Sequence, residues 1–225
     1  MEGDPADLAE LTQTLAARYA GQVAAYQIGS SPDSANDWGL PAADYVELLR
    51  QAYLAVKTAD PGALVVTAGF APAAGGAPYL EQFLAAGGSA WHDALGVRVP
   101  VGAPVADAVA AAQRIASSFG QRPIWLTQVG AAYSGPADPD GQAAYLLGAL
   151  AEAGSDPAVQ VLLVDNFNLA VVRPGDPAAR LSLMDADWTA RPALIQLAQL
   201  RQEQVLNGEG VPFSSGRNRA PQSGA

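Results

Sequence analysis

The side chains that could take part in proton transfer are few, and most of them are acidic. Asp33 and Asp37 follow an apolar run in a turn that contains proline, and Asp165 lies at the end of another apolar run. Carboxylates that face each other across a cleft can act as a general acid and a general base. The single histidine, His92, excludes a metal site with several histidine ligands, and the lack of cysteine excludes a thiolate site.

Most of these groups have a structural interpretation that we favour. Asp33 is expected to cap the turn that follows Pro32, and His92 is expected to be an ordinary surface residue. Asp138-Pro139-Asp140-Gly141 resembles part of a calcium loop, but it lacks the other ligands and the final glutamate, so we predict a turn and a helix cap. Asp165 stays open as a functional residue. We therefore predict no metal and no cofactor.

The elements that position these residues alternate between strands and helices. Short apolar runs predict buried strands, whereas apolar residues at helical spacing predict amphipathic helices. The predicted strands cover residues 22–28, 63–68, 94–99, 123–129 and 159–167. The predicted helices cover residues 4–21, 45–56, 78–86, 105–119, 141–153 and 190–205. This alternation is typical of a parallel sheet with both faces covered by helices.

Length, charge and composition restrict the function further. The 225 residues suit one large domain or two small ones, and we predict one domain over 1–206 and a disordered tail over 207–225. The net charge of −10 argues against binding to nucleic acid or to an anionic membrane. No apolar run is long enough to span a bilayer. The N-terminus lacks the features of a signal peptide, so any export signal is expected outside this chain. The glycine pairs at 75–76 and 87–88 lack the context of a dinucleotide-binding loop.

Several phrases in the sequence occur in an order that resembles a known superfamily. They are Tyr26-Gln27-Ile28-Gly29-Ser30-Ser31-Pro32-Asp33, a helix with Pro41, Tyr45, Leu48, Tyr53, Lys57 and Asp60-Pro61, the segment Arg122-Pro123-Ile124-Trp125-Leu126-Thr127-Gln128, and Arg191-Pro192-Ala193. Together they resemble the C-terminal five-eighths of a clan A glycoside hydrolase, over roughly residues 5–200. The resemblance implies an α/β fold, a partial (β/α)8 TIM-type barrel with about five parallel strands and surrounding helices.

The resemblance also implies two catalytic glutamates, which this chain lacks. Active relatives carry an acid/base glutamate after the fourth barrel strand and a nucleophile after the seventh, about 5 Å apart. Ser31 stands at the acid/base position and Gln128 at the nucleophile position. Ser30, Gly29 and Arg98-Val99-Pro100 also replace expected supporting residues. A hydroxyl is too weak an acid, and an amide carries no charge. The changes therefore predict that the ancestral activity is lost.

The remaining residues near the predicted strand ends suggest ligand binding. The predicted ligand-binding residues are Ser30, Ser31, Trp38, Gln128, Tyr133, Asp165 and Phe167. Three of them are aromatic and could stack on a sugar ring. The resemblance implies an inactive domain that acts as an interaction or structural subunit or as a glycan-binding module, at an extracellular or cell-surface location. The alternative is a divergent or fragmentary glycoside hydrolase that uses Asp33 or Asp165.

Five parallel strands do not close a barrel of eight. The strands at 22–28 and 159–167 would leave exposed edges, together with the apolar lining of an unfinished barrel. We therefore expect a protein partner, or a barrel segment on another chain, to cover these surfaces. The initial methionine makes a free-standing gene plausible and favours a subunit role.

Overall fold

The computed structural model describes residues 5–34 and 39–206 of the chain. These residues form five β-strands and seven α-helices. The strands are β1 (Ala25–Ile28), β2 (Leu64–Thr67), β3 (Leu95–Arg98), β4 (Ile124–Val129) and β5 (Val159–Val164). The helices are α1 (Pro5–Arg18), α2 (Ala42–Ala59), α3 (Ala77–Ala85), α4 (Val105–Ala116), α5 (Gly141–Ser155), α6 (Leu169–Val172) and α7 (Pro192–Leu206). Every predicted strand and helix is present, and only the short α6 was not predicted.

The strands are parallel and follow one another in space in the same order as in the sequence. β1 pairs with β2, β3 pairs with β4, and β4 pairs with β5. Isolated parallel bridges join Val66 to Ala94 and Phe70 to Val97, so β2 also runs beside β3. The Arg98 backbone N–H donates to the Phe70 carbonyl over 2.7 Å. The predicted α/β architecture, a partial (β/α)8 barrel, is confirmed.

The junction between β2 and β3 depends on a glycine. A Cβ atom at Gly96 would lie 2.5 Å from the Thr67 carbonyl oxygen, so only glycine permits this approach. The Gly96 N–H then donates to the Thr67 hydroxyl oxygen over 2.8 Å. A side chain here would separate the two parts of the sheet.

The core lies between the strands and the helices that cover them. α2 buries Tyr45, Leu49, Ala52 and Val56 along one face. The Tyr45 hydroxyl donates to the Ile28 carbonyl over 2.9 Å and accepts from the Ala68 N–H over 2.6 Å. This phenol therefore fastens α2 to the carboxyl ends of β1 and β2 at once.

The prediction that His92 lies at the surface is wrong. Its side chain lies in the loop before β3, is 2% exposed and packs against the Phe83 ring, with 6.0 Å between ring centroids. The ring Nδ1 lies 3.0 Å from the Gly88 carbonyl oxygen. Burial lowers the pKa of His92 to about 4, so the imidazole is neutral at pH 7. His92 is buried because it packs against Phe83 of α3. A local sequence pattern does not reveal this contact.

The buried histidine predicts a specific loss of stability in acid. The pKa falls from 6.5 in the unfolded chain to about 4 in the folded one, so the unfolded chain binds a proton first as pH falls. Between pH 7 and pH 4.5 this group alone should remove roughly 2–3 kcal/mol from the unfolding free energy. His92→Gln should lose less over the same range, as measured by urea unfolding at both pH values. Equal losses in the two proteins would contradict the assignment.

Candidate functional site

A cavity of about 470 Å³ opens at the carboxyl ends of the strands. Parallel (β/α) barrels carry their active sites at this end, and ligand pockets commonly have this size. Four of its lining residues have charged or amide side chains: Asp33, Arg98, Gln128 and Asp165. They come from the loop after β1, the last residue of β3, the end of β4 and the position after β5. Parallel pairing of the strands brings them together.

Asp33 links two loops and does not cap its own turn, so the capping prediction is wrong. The turn is closed by the backbone, where the Ser34 N–H donates to the Ser31 carbonyl over 3.1 Å. The Asp33 Oδ2 atom instead accepts from the Ala71 N–H over 2.8 Å. Its Oδ1 atom lies 3.5 Å from the Arg98 Nη2 atom, and the side chain is only 2% exposed. Asp33 therefore holds the loop after β1 against the loop after β2.

A glycine makes room for this carboxylate. A Cβ atom at Gly76 would overlap the Asp33 Oδ2 atom and would lie 2.9 Å from the Ala71 carbonyl oxygen. The preceding Gly75 has a positive φ of 91°, a left-handed conformation that favours glycine. Both glycines line the cavity. The glycine pair Gly75-Gly76, which lacks the sequence context of a dinucleotide-binding loop, thus forms part of the cavity wall.

Gln128 and Asp165 face each other at the ends of β4 and β5. The Gln128 Nε2 atom donates to the Asp165 Oδ2 atom over 3.4 Å, a long hydrogen bond. Asp165 is half-buried, and this desolvation raises the pKa of its carboxyl group. Within residues 5–34 and 39–206, no cation lies within ion-pair distance of Asp165. The arrangement offers one partly desolvated carboxyl group beside a neutral amide.

The other predicted ligand-binding residues do not line the cavity, as far as the described residues show. Ser31 is buried and Ser30 is exposed beside it. The ring of Tyr133 lies under the Arg191 guanidinium, with 4.6 Å between its centroid and Cζ. Phe167 is exposed on the loop after β5. Trp38 and Asp37 lie outside the described residues.

A buried polar network shapes the wall of the cavity beside β5. The segment 177–183 passes over the start of α5 and the start of α7, and Leu181 within it lines the cavity. The Gln142 Nε2 atom donates to the carbonyls of Ala131, Leu181 and Ser182. The Arg191 Nη1 atom donates to the carbonyls of Arg180 and Ser182, and its Nε atom donates to Asp185 over 2.9 Å. Two long side chains thus hold an irregular segment in one position.

Sequence reasoning missed several residues of this site. Arg98 was noted only within Arg98-Val99-Pro100, as a replacement of expected supporting residues, although an arginine after an apolar run places a charged group at a strand end. The wall residues Gly76, Val101 and Leu181 carry no chemical signal in the sequence. Arg191 and Gln142 bind carbonyls from distant segments, which a local pattern does not reveal.

The predicted turn before α5 is present, but its N-cap residue Asp140 makes no side-chain capping bond, and Asp138 contacts the helix start. The Gly141 N–H donates to the Asp138 Oδ1 atom over 3.1 Å. Asp140 instead accepts from Gln196 of α7 over 3.1 Å. In the described part of the chain, no three His, Asp or Glu side chains are grouped as metal ligands would be. Over the same residues, no helix is both long and apolar enough to cross a membrane.

Filling the space at Gly76 should disturb the site. Gly76→Ala would force the Asp33 carboxylate or the Ala71 carbonyl to move, so we expect a loss of about 1–3 kcal/mol in unfolding free energy. The matched control is Gly148→Ala, because this exposed position inside α5 has no atom near an added Cβ. That control should gain about 0.5–1 kcal/mol from helix propensity. Urea unfolding measures both, and an unchanged Gly76→Ala protein would contradict the close approach.

The Arg191 network should depend on the planar guanidinium. Arg191→Lys keeps the charge but cannot donate to Asp185 and to two carbonyls together. We therefore expect the unfolding free energy to fall by about 2–3 kcal/mol. Arg201→Lys is the control, because Arg201 is exposed on α7, the helix that begins directly after Arg191. It should change the unfolding free energy by less than about 0.5 kcal/mol. Similar effects of the two changes would show that the network is dispensable.

The chain matches no protein family profile and no curated protein sequence. Solved structures do match it. A GH2 β-galacturonidase from Eisenbergiella tayi is 13% identical at a TM-score of 0.64, over 88% of this chain and 37% of that one. Xylanase 10B from Thermotoga petrophila is 16% identical at a TM-score of 0.62, and the match covers 91% of this chain and 69% of the xylanase chain. A family 39 glycoside hydrolase from Bacteroides cellulosilyticus is 20% identical at a TM-score of 0.62, and the match covers 85% of this chain and 43% of that enzyme's chain.

These similarities show a shared fold and no shared activity or substrate, because the sequence identities are low. The chain spans about two fifths of the galacturonidase and of the family 39 enzyme. Xylanase 10B is covered over a larger share of its own length. The resemblance predicted from the sequence is confirmed at the level of the fold: the chain has a partial (β/α)8 barrel, similar to the barrels of these three glycoside hydrolases.

Proposed function

We propose that this chain is a catalytically inactive glycoside hydrolase-like domain that binds carbohydrate in the cavity at the carboxyl ends of its strands. One observation carries the proposal: a polar cavity lies at the carboxyl ends of the strands, and an amide, Gln128, lines it at the position where the sequence resemblance expects the nucleophile. The resemblance places Ser31 at the acid/base position, just outside the lining. A polar cavity without an acid and a nucleophile at these positions supports binding without cleavage.

The carboxylates that remain are poorly suited to hydrolysis. Hydrolysis needs two carboxyl groups on opposite sides of the sugar, one as an acid and one as a nucleophile or base. Asp33 is 2% exposed, and the Ala71 N–H and Arg98 already engage it. Moving it to a substrate would break both contacts. Among the described lining residues, Asp165 is then the one carboxyl group that remains available, and one carboxyl group does not supply both roles.

The chemistry of the cavity suits a small polyol. Sugar hydroxyls both donate and accept hydrogen bonds, and the lining provides acceptors on Asp165 and donors on Arg98 and Gln128. Related folds support this ligand class, since the galacturonidase was solved with galacturonate bound and the xylanase with xylobiose. A sugar-binding role agrees with an extracellular or cell-surface location, which we propose on the resemblance alone.

A structural role in a larger assembly is the second candidate. Leu64 of β2 and Leu163 of β5 are exposed apolar side chains on strands. A closed barrel packs such side chains inside, so a protein partner or a further barrel segment would cover them. The mass of the native particle purified gently from its source tests this role. Stoichiometric companion chains would support it, and a lone chain of 23.0 kDa would contradict it.

The proposed function predicts binding without turnover. We expect no release of sugar from aryl glycosides or polysaccharides above the buffer rate, together with measurable retention on a glycan array. Val101→Trp should abolish retention, because Val101 is exposed and lines the cavity. Val172→Trp is the matched control at an exposed valine outside the cavity lining. Turnover that disappears in Asp165→Asn would instead support the divergent hydrolase, and binding unaffected by Val101→Trp would place the ligand elsewhere.

A further inference from the structure

The charges that line the cavity do not balance. Arg98 pairs with Asp33, with 3.5 Å between Nη2 and Oδ1, so these two charges cancel. Asp165 has no such partner among the described residues, and its carboxylate is met by the neutral Gln128 amide over 3.4 Å. Among the described residues, the cavity lining therefore carries one uncompensated carboxylate. The whole chain has a net charge of −10, which adds to the negative potential at its mouth.

Two buried polar atoms in the wall also lack hydrogen bonds. They are the Oδ1 atom of Asp33 and the Nε atom of Arg98. Asp33 is almost fully buried, and an unsatisfied buried oxygen costs free energy unless a donor reaches it. Because both residues line the cavity, a polar ligand beside the Asp33–Arg98 ion pair can supply the missing donor and acceptor without separating the pair. The wall is built for an occupant with several polar groups.

We propose that the ligand is a hexosamine, a sugar that carries a primary ammonium group. The ammonium would lie on the Asp165 carboxylate, and ring hydroxyls would contact Gln128 and Arg98. This inference rests on the proposed carbohydrate-binding function and names the class of sugar.

The alternatives fit the charges less well. A neutral hexose would make hydrogen bonds, but it would leave a partly desolvated carboxylate without a counter-charge. A uronate would place a second carboxylate near Asp165, while the guanidinium that could receive it is already paired with Asp33. An ammonium group compensates the surplus charge, and a charge-assisted hydrogen bond to a carboxylate is stronger than a neutral one.

The test compares sugars that share the glucose ring and differ in one substituent, which is cationic, neutral or anionic. The full chain is titrated at pH 7 and low salt with glucosamine, N-acetylglucosamine, glucose and glucuronate, and Kd is measured by calorimetry or by shifts of backbone NMR signals. We expect glucosamine to bind at least about tenfold more tightly than N-acetylglucosamine or glucose, the gain typical of a partly desolvated charge pair. Glucuronate should bind most weakly.

Two variants separate the local charge from the global one. Asp165→Asn should reduce the preference for glucosamine over glucose to within about threefold, while glucose still binds. Asp107→Asn makes the same change of charge at an exposed position in the first turn of α4, outside the cavity lining, and should preserve the preference. Urea unfolding and NMR spectra of both variants establish that they are folded.

The outcomes separate this inference from the proposed function. Equal affinity for glucosamine and glucose, or a preference for glucuronate, would overturn the hexosamine assignment and leave carbohydrate binding intact. The hexosamine assignment would also be overturned if Asp107→Asn and Asp165→Asn reduced the preference for glucosamine equally, because the charge of the whole chain would then explain that preference. If none of the sugars binds, and the glycan array is also negative, both proposals fail.

Discussion

Parallel pairing of consecutive strands is the constraint on which the rest of this structure depends. When neighbouring strands run in the same direction, each connection must return over a helix, and all carboxyl ends meet at one rim. The groups of the cavity come from four different strand ends, and no local segment brings any two of them together. The junction between β2 and β3 keeps the strands in this order. It depends on Gly96, because the missing side chain lets the Thr67 carbonyl approach the backbone of β3.

The rim is held by polar side chains, whereas the layer below is apolar. Asp33, Gln142 and Arg191 are each largely buried, and each binds backbone groups of a loop other than its own. Loops carry backbone polar groups that have no partner in a helix or sheet, so buried side chains must supply these partners. Such networks fix irregular segments in one conformation, because a partly satisfied network is costly. The cavity wall is consequently preorganised.

The sequence predicted what short-range patterns determine. The strand at 124–129 is an apolar run, and the helix at 42–59 repeats its apolar residues at helical spacing, so each is encoded within a few residues. Asp33 and His92 were predicted wrongly because their environments come from partners far along the chain. The aspartate meets Ala71 and Arg98, and the histidine packs against Phe83. Local patterns report the period of a segment, but they carry no information on what packs against it.

The amide at position 128 has a physical consequence for its neighbour Asp165. Two carboxylates at hydrogen-bond distance repel each other, and one of them must take up a proton or move away. Gln128 instead donates to Asp165, so a single half-buried carboxylate is retained beside a neutral donor. The amide therefore lets a half-buried carboxyl group stay at the rim beside a neutral donor. This arrangement supports the proposed recognition of a donor-rich or cationic ligand.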